Sequence, residues 1–215
     1  MNTCVIFCAG GFSALVAPIG DDDYVIAADG GFVHTENLGL APDAVLGDFD
    51  SLGFTPEKAV TFPVEKDDTD AMLAVKLGVE RGCDRFLLYG SLDGPRLDHT
   101  IANIQTLSYL ADQGKIGYLV GENQIVTLLE AGTLRFPAEA VGYLSVFALE
   151  GTVSGVSLRG VQYELENGSL TAGFPLGVSN QFIGQAASVS VTEGRLLVIW
   201  QRDTGLPKRK ETIDG

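Results

Sequence analysis

Acidic residues recur in this chain immediately after short apolar runs. Tyr24 to Ala28 runs into Asp29-Gly30-Gly31, Ala44 to Leu46 into Gly47-Asp48-Phe49-Asp50-Ser51, and Arg85 to Tyr89 into Gly90-Ser-Leu-Asp-Gly-Pro-Arg-Leu-Asp-His99. If these runs are parallel strands, each delivers its acid to the carboxyl edge of one sheet, where open α/β folds bind their ligands. Asp48 and Asp50 alternate with Phe49, so in extended backbone both carboxylates face one side and the ring faces the other. Such a pair suits a shared divalent cation, completed by water and phosphate oxygens as magnesium is in phosphoryl-transfer sites. A calcium loop competes for Asp48 to Gly53 but fails at Leu52 and Ala59, which stand at ligand positions. An Asx-turn accounts for either acid taken alone.

The run Lys66-Asp-Asp-Thr-Asp70 opens a predicted helix, where Asp67, Asp68 and Thr69 also suit ordinary capping. Asp70, just inside that helix, can reach the cation of Asp48 and Asp50 if the helix opens toward the strand ends. Gly90 and Gly94 would let backbone N–H groups approach a phosphate, and Arg96 offers a two-pronged donor for phosphate oxygens or, alternatively, a salt bridge to Asp98. His99 reads as a first-turn residue more readily than as a base. The chain has no G-x-x-x-x-G-K-[ST], G-x-G-x-x-G or G-x-S-x-G motif, which disfavours an ordinary P-loop NTPase or a serine hydrolase.

These residues have to be positioned by regular elements. Cys4 to Cys8, Tyr24 to Ala28, Ala44 to Leu46, Arg85 to Tyr89 and Ile116 to Val120 read as strands of a mostly parallel sheet. Between them, a helix over Asp70 to Arg81 carries a stripe of Leu73, Ala74, Leu77 and Gly78 and stops at Gly82. A second helix, over Leu97 to Gln113, carries Leu97, Ile101, Ile104, Leu107 and Ala111 and stops at Gly114. From residue 122 the pattern changes to short strands separated by turns, with Asn167-Gly168 as a hairpin signal, so residues 122–215 are expected to form an all-β domain after an α/β domain of residues 1–121. The sequon Asn167-Gly-Ser169 is read as a turn, and Pro207 to Gly215 as a frayed end.

With 215 residues and 46% apolar content the chain can bury a sizeable core. Its net charge of −14 argues against nucleic-acid or anionic-membrane partners. Residues 1–120 hold 18 acidic against 7 basic residues and residues 121–215 hold 10 against 7, so the acidity sits with the candidate site. No apolar run is long enough to span a membrane and the N-terminus lacks a basic leader, which leads to an expected cytoplasmic location. Three cysteines and two histidines suit reduced thiols better than a zinc site, and Cys4 and Cys8 would lie about 13 Å apart on one strand.

Ala28-Asp-Gly-Gly31, Pro42-Asp-Ala-Val-Leu-Gly-Asp-Phe-Asp-Ser51, Lys66-Asp-Asp-Thr-Asp70 with Ala74, and Arg96-Leu-Asp-His99 with Asn103 together resemble the thiamine pyrophosphokinase family in order and spacing. Ser179-Asn180 and Trp200 extend the resemblance over nearly the whole chain. It implies an α/β domain followed by a β-sandwich, a homodimer with the active site between subunits, and diphosphate transfer from ATP to the thiamine hydroxyl. It further implies magnesium on Asp48, Asp50 and Asp70, supported by Asp29, with Arg96 and Asp98 at the transferring phosphates or the acceptor. Gly30, Gly31, Asp67, Thr69, Gly94 and His99 would help bind the nucleotide, and Ser179, Asn180 and Trp200, with Asp98, would meet the vitamin. One departure stands out: the Gly90 to His99 loop is one residue longer than the family's, with Pro95, which has no N–H, where glycine is expected. That leaves the nucleotide open, with Asp93 a candidate contact beside Gly94 and Arg96. A pyrophosphokinase for another hydroxymethyl heterocycle such as a pterin, and a noncatalytic nucleotide or vitamin sensor, are the competing readings.

Overall fold

Five consecutive buried residues, Thr3–Phe7, form strand β1, and only a strand covered on both faces can bury so uninterrupted a run. Around it in the first unit stand β2 (Tyr24–Ala28), β3 (Ala44–Gly47), β4 (Ala59–Thr61), β5 (Arg85–Tyr89) and β6 (Ile116–Val120). They lie in the order β6-β5-β1-β2-β3-β4, and every pairing among them is parallel. Among the described residues, α1 (Phe32–Asn37), α2 (Asp70–Glu80) and α3 (Leu97–Asp112) lie between them in the chain. The structure is a computed structural model that describes residues 2–47, 59–61 and 68–210, and the chain divides into the units Met1–Glu122 and Asn123–Gly215. Among the described residues no helix is long and apolar enough to cross a membrane.

Local chemistry sets the helix ends. Thr69 Oγ1 accepts the Met72 N–H at 3.2 Å and so caps α2. The buried face of α2 is Ala74, Val75 and Gly78, close to the predicted stripe. The buried face of α3 differs from expectation: Asn103, Thr106, Leu107 and Leu110 turn inward, while Leu97 and Ile101 are 72% and 51% exposed. Two polar residues can be buried there because each is satisfied, Asn103 by the Ser91 carbonyl at 2.7 Å and Thr106 by the Ala102 carbonyl at 3.0 Å.

The second unit contains no α-helix among its described residues. Its strands are β7 (Gln124–Leu129), β8 (Gly132–Phe136), β9 (Tyr143–Ala148), β10 (Thr152–Arg159), β11 (Leu165–Thr171), β12 (Gly177–Gln181), β13 (Ala187–Val191), β14 (Leu196–Gln201) and β15 (Lys208–Lys210). One antiparallel set runs β12-β9-β14-β7 and the other β11-β10-β13-β8-β15. The two sets touch where the Phe136 ring meets Trp200 edge-on at 5.5 Å. Two expectations are corrected. Asn167-Gly168 is no hairpin turn but an irregularity within β11: Asn167 takes φ +49° and the β10–β11 register shifts between Val156↔Gly168 and Leu158↔Leu165. Lys208–Lys210 is no frayed end either, because it pairs as an edge strand with β8.

All three cysteines are buried free thiols. Cys4 lies against α2 at Gly78, where an added Cβ would stand 2.7 Å from Cys4 Sγ and 2.6 Å from Phe86 Cε1. Gly→Ala in a helix interior gains about 1 kcal/mol in propensity, but forcing a methyl into a filled core costs about 1–3 kcal/mol. Both neighbours are fully buried and cannot move aside. Gly78→Ala is therefore expected to destabilise the first unit, measured as a lower urea midpoint at unchanged slope; an unchanged or raised midpoint would show that the α2–β1 packing is looser than described.

Candidate functional site

β1 and β5 are neighbours, yet the chain leaves β1 toward β2 on one side and arrives at β5 only after crossing to the other. At such a switch point the loops leaving adjacent strands diverge and open a crevice at the carboxyl edge. Pairing continues briefly past both strands, with Cys8 N–H donating to the Tyr89 carbonyl at 2.8 Å and Gly10 N–H to the Gly90 carbonyl at 3.0 Å. A Cβ on Gly10 would stand 2.4 Å from Gly90 O, and one on Gly90, at φ +66°, would stand 2.7 Å from Cys8 O. Only glycine at both positions lets these backbones meet.

Beyond that contact lies a cavity of about 320 Å³, in the size range of small-molecule sites. Its wall comes from four places: Cys8 to Gly10 after β1, Ala28 and Asp29 after β2, Thr69 to Ala71 opening α2, and residues between Gly90 and Asn103 after β5. Of the residues singled out in the sequence, Asp29, Thr69, Asp70, Gly94, Arg96 and His99 line this one cavity. Asp48, Asp50 and Asp67 lie outside the described residues.

Asp29 holds a left-handed backbone, φ +50°, which costs a non-glycine residue about 1–2 kcal/mol. The end of β3 crowds it, since a Cβ on Gly47 would stand 3.2 Å from Asp29 Cα. Asp70 occupies the first turn of α2, where the helix dipole favours negative charge. Asp68 instead pairs with Lys76 at 2.6 Å. Arg96 and Asp98 form a two-pronged pair, Nε–Oδ1 3.2 Å and Nη2–Oδ2 2.5 Å, and the hydrogen bond from Arg96 holds the Asp98 carboxyl below the usual range. Both side chains are 64% exposed, so the pair is weak and the guanidinium can exchange Asp98 for a phosphate.

Underneath, Ser91 Oγ donates to the Leu88 carbonyl at 2.7 Å and Asn103 Nδ2 to the Ser91 carbonyl at 2.7 Å, which fixes the turn after β5. Asp93 is corrected as a nucleotide contact: its Oδ2 accepts the Glu122 N–H at 2.6 Å and anchors the loop instead. Gly30 and Gly31 do not line the cavity. A Cβ on Gly31 would fall 1.9 Å from Phe7 O, so its role is to seat the turn on β1. Cys8 does line it, but burial, helped by the charge of Asp70, pushes its thiol up to about 12, so it remains protonated and is no nucleophile at neutral pH. As hard oxygen donors, Asp29 and Asp70 are of the type magnesium takes, and they share the wall. Among the described residues no group of three or more ligands assembles.

In the second unit, Ser179 is exposed on β12 with φ +60°. Asn180 is buried, its Oδ1 accepting the N–H groups of Tyr163 and Gln181 at 2.9 Å each and its Nδ2 donating to the Tyr163 carbonyl at 2.7 Å. That amide is committed to holding Tyr163 and Gln181, which corrects its expected role as a direct vitamin contact.

Residues 18–118 match the family model "Thiamin pyrophosphokinase, catalytic domain", and residues 133–196 match "Thiamin pyrophosphokinase, vitamin B1 binding domain". This chain belongs to the thiamine pyrophosphokinase family. It is 28% identical over 188 residues to thiamine pyrophosphokinase of Bacillus subtilis, covering 83% of this chain and 87% of that one. The crystal structure of the Bacillus subtilis thiamine pyrophosphokinase superposes with a TM-score of 0.81 at 25% identity over 94% of this chain and 99% of that one. That of thiamin pyrophosphokinase from Geobacillus thermodenitrificans superposes at 0.75 and 27%, over 94% and 97%.

Within this thiamine pyrophosphokinase family member, sequence reading missed two parts of the wall, the Cys8 to Gly10 strap and Ser91. Neither carries a charge, and the available signal was the pair Gly10-Gly11 directly after an apolar run, placed as Gly30-Gly31 is after β2. Trp200 is corrected. It is 1% exposed, packs on Phe136 and donates its indole N–H to the Gly205 carbonyl at 2.8 Å, so it belongs to the core of the second unit and has no face to stack on a ligand. Trp200→Ala should therefore cost about 3–5 kcal/mol of stability, read by thermal or denaturant unfolding. A variant of native stability with a selectively raised thiamine KM would restore the stacking role.

Proposed function

We propose that this chain is a thiamine pyrophosphokinase that transfers the diphosphate of ATP to the thiamine hydroxyl, giving thiamine diphosphate and AMP. The observation that carries the reading is the cavity at the β1/β5 switch point, where Asp29 and Asp70 face a nucleotide-sized space together with Arg96. Matches to both a catalytic and a vitamin B1 binding model favour thiamine over a pterin acceptor and an enzyme over a sensor.

In this reading the first unit is the catalytic domain and the second, a β-sandwich, the vitamin-binding domain. Asp70, with Asp48 and Asp50, holds magnesium, and Asp29 supports the cluster from its strained turn. Bound there, magnesium neutralises phosphate charge that a chain of net charge −14 would otherwise repel. Arg96 leaves Asp98 for the phosphate oxygens, while Thr69, Gly94 and His99 shape the wall around the nucleotide. Catalysis is then mainly positioning, with the hydroxyl in line with the departing AMP. The vitamin lies by Ser179, on edge strand β12, where Val178 is exposed, as are Phe174, Leu176 and Ile183 in the segments that flank the strand. Exposed apolar side chains gathered at a sheet edge are the kind of surface a second copy covers, and they support a homodimer with the site at the interface. The chain acts in the cytoplasm, with no nucleic-acid or membrane partner.

Incubation with ATP, Mg²⁺ and thiamine, followed by chromatography, should yield thiamine diphosphate and AMP in equal amounts. Stoichiometric ADP would make the protein an ordinary kinase, and no product from thiamine would remove the assignment. Asp48→Asn and Asp50→Asn should each lower turnover by at least about a hundredfold, since each removes a charged ligand at nearly constant volume. Near-normal rates in either variant would end the proposed metal set.

A further inference from the structure

The strap Cys8-Ala-Gly-Gly-Phe12 walls the cavity through Cys8, Ala9 and Gly10 and has no charged side chain, so its contribution depends on where its backbone is held. Three hydrogen bonds hold it: Cys8 N–H donates to the Tyr89 carbonyl at 2.8 Å, Gly10 N–H donates to the Gly90 carbonyl at 3.0 Å, and His34 Nε2 lies 2.8 Å from the Gly10 carbonyl. Beyond it, Val16 N–H donates to the Tyr89 hydroxyl at 3.1 Å. A carbonyl can only accept, so Nε2 carries the hydrogen and donates. The same imidazole leans on the Phe12 ring at 5.3 Å, and Phe12 in turn meets Phe7 and Tyr89 edge-on at 5.6 Å each. His34 thus holds the strap by a hydrogen bond at one residue and by packing two residues later.

The sequence places His34 there for a local reason. It sits in α1, which follows the Asp29-Gly30-Gly31 turn directly, and Gly31 lets that turn rest on the Phe7 carbonyl at the end of β1. One short segment therefore presents Asp29 to the cavity and, five residues on, reaches back to the opposite bank of the β1–β2 pair. The mechanism described above does not use His34, and no charge motif singles it out.

We propose that His34 is a positioning residue for the nucleotide, holding the Gly10 carbonyl so that the glycine strap stands preformed against the phosphate-bearing ligand. This rests on reading the cavity as the ATP site. A wall already in place saves the ordering that a loose glycine segment would undergo on binding, so loss of the donor should weaken nucleotide binding and leave thiamine binding alone.

The test is calorimetric titration of the full chain with Mg²⁺ and α,β-methylene ATP, whose α–β bridge cannot be broken, alongside the melting temperature of each unliganded variant. His34→Leu keeps bulk against Phe12 but removes the donor, and should raise the analogue's Kd about three- to tenfold with the thiamine KM unchanged. His34→Gln puts an amide N–H at the reach of Nε2 and should bind within about twofold of the unaltered protein, since the hydrogen bond is restored. If His34→Leu does not fold, His34→Asn, whose shorter amide falls short of Gly10, takes its place with the same expectation. Equal affinity in the donorless and unaltered proteins overturns the proposal, as does a Gln variant as weak as the Leu variant, or a thiamine KM that rises in proportion. If the unaltered protein does not bind the analogue at all, the cavity is not the ATP site, and this inference falls with that reading.

Discussion

The first unit depends on one topological constraint, the change of direction between β1 and β5. Because β2, β3 and β4 are laid down on one side of β1 and β5 and β6 on the other, the segments following the two central strands leave in different directions. Hydrogen bonding at the base of that fork, Cys8 to Tyr89 and Gly10 to Gly90, keeps the strands in register up to the point of divergence. Everything assigned to the site is measured from there. Asp29 arrives from the next strand over, α2 brings Asp70 by its first turn, and the loop from Gly90 brings Arg96. Two glycines make the junction possible, and a side chain on either would force the strands apart.

The cavity is acidic in an acidic unit, a poor place for a polyphosphate unless its charge is offset. Among the described residues that line the cavity, the arginine is Arg96, which stands in an exposed pair with Asp98. Exposure matters here, because a pair screened by water is released at little cost, whereas a buried one would resist exchange. Rigid parts and exchangeable parts are separated along the loop: Ser91, Asp93 and Asn103 are committed to backbone groups, and the exposed arginine is not buried with them.

Much of the first unit could be read from hydrophobic period alone. Strands over Tyr24–Ala28, Arg85–Tyr89 and Ile116–Val120, and helices opening at Asp70 and Leu97, coincide with the structure because continuous apolar runs and capped amphipathic stretches have few alternatives. The face of α3 was misread because its polar residues are buried on local hydrogen bonds, which periodicity does not register. Asn167-Gly168 was misread for a related reason. Its positive φ serves equally in a turn or within an irregular strand, and the partner strand β10 decides between them. Lys208–Lys210 looked like a tail because an edge strand with charged side chains has no apolar signature.

For the candidate site, the sequence by itself determined the chemistry: acids at the ends of successive strands, an arginine in a glycine-containing loop, and the absence of the usual phosphate-loop motifs. Those are properties of residue type and order, and they also carry the family resemblance. Only the tertiary structure decided which of these residues meet. It drew Asp29, Asp70 and Arg96 to one cavity, turned Asp93 and Asn180 onto backbone groups, and sealed Trp200 in the core. It also brought in the uncharged strap at Gly10. The physical reason is that a side chain's chemistry is local, whereas its exposure and its partners are set by segments distant in the chain. Val16 meets Tyr89 and Glu122 meets Asp93 only because the sheet's strand order makes them neighbours.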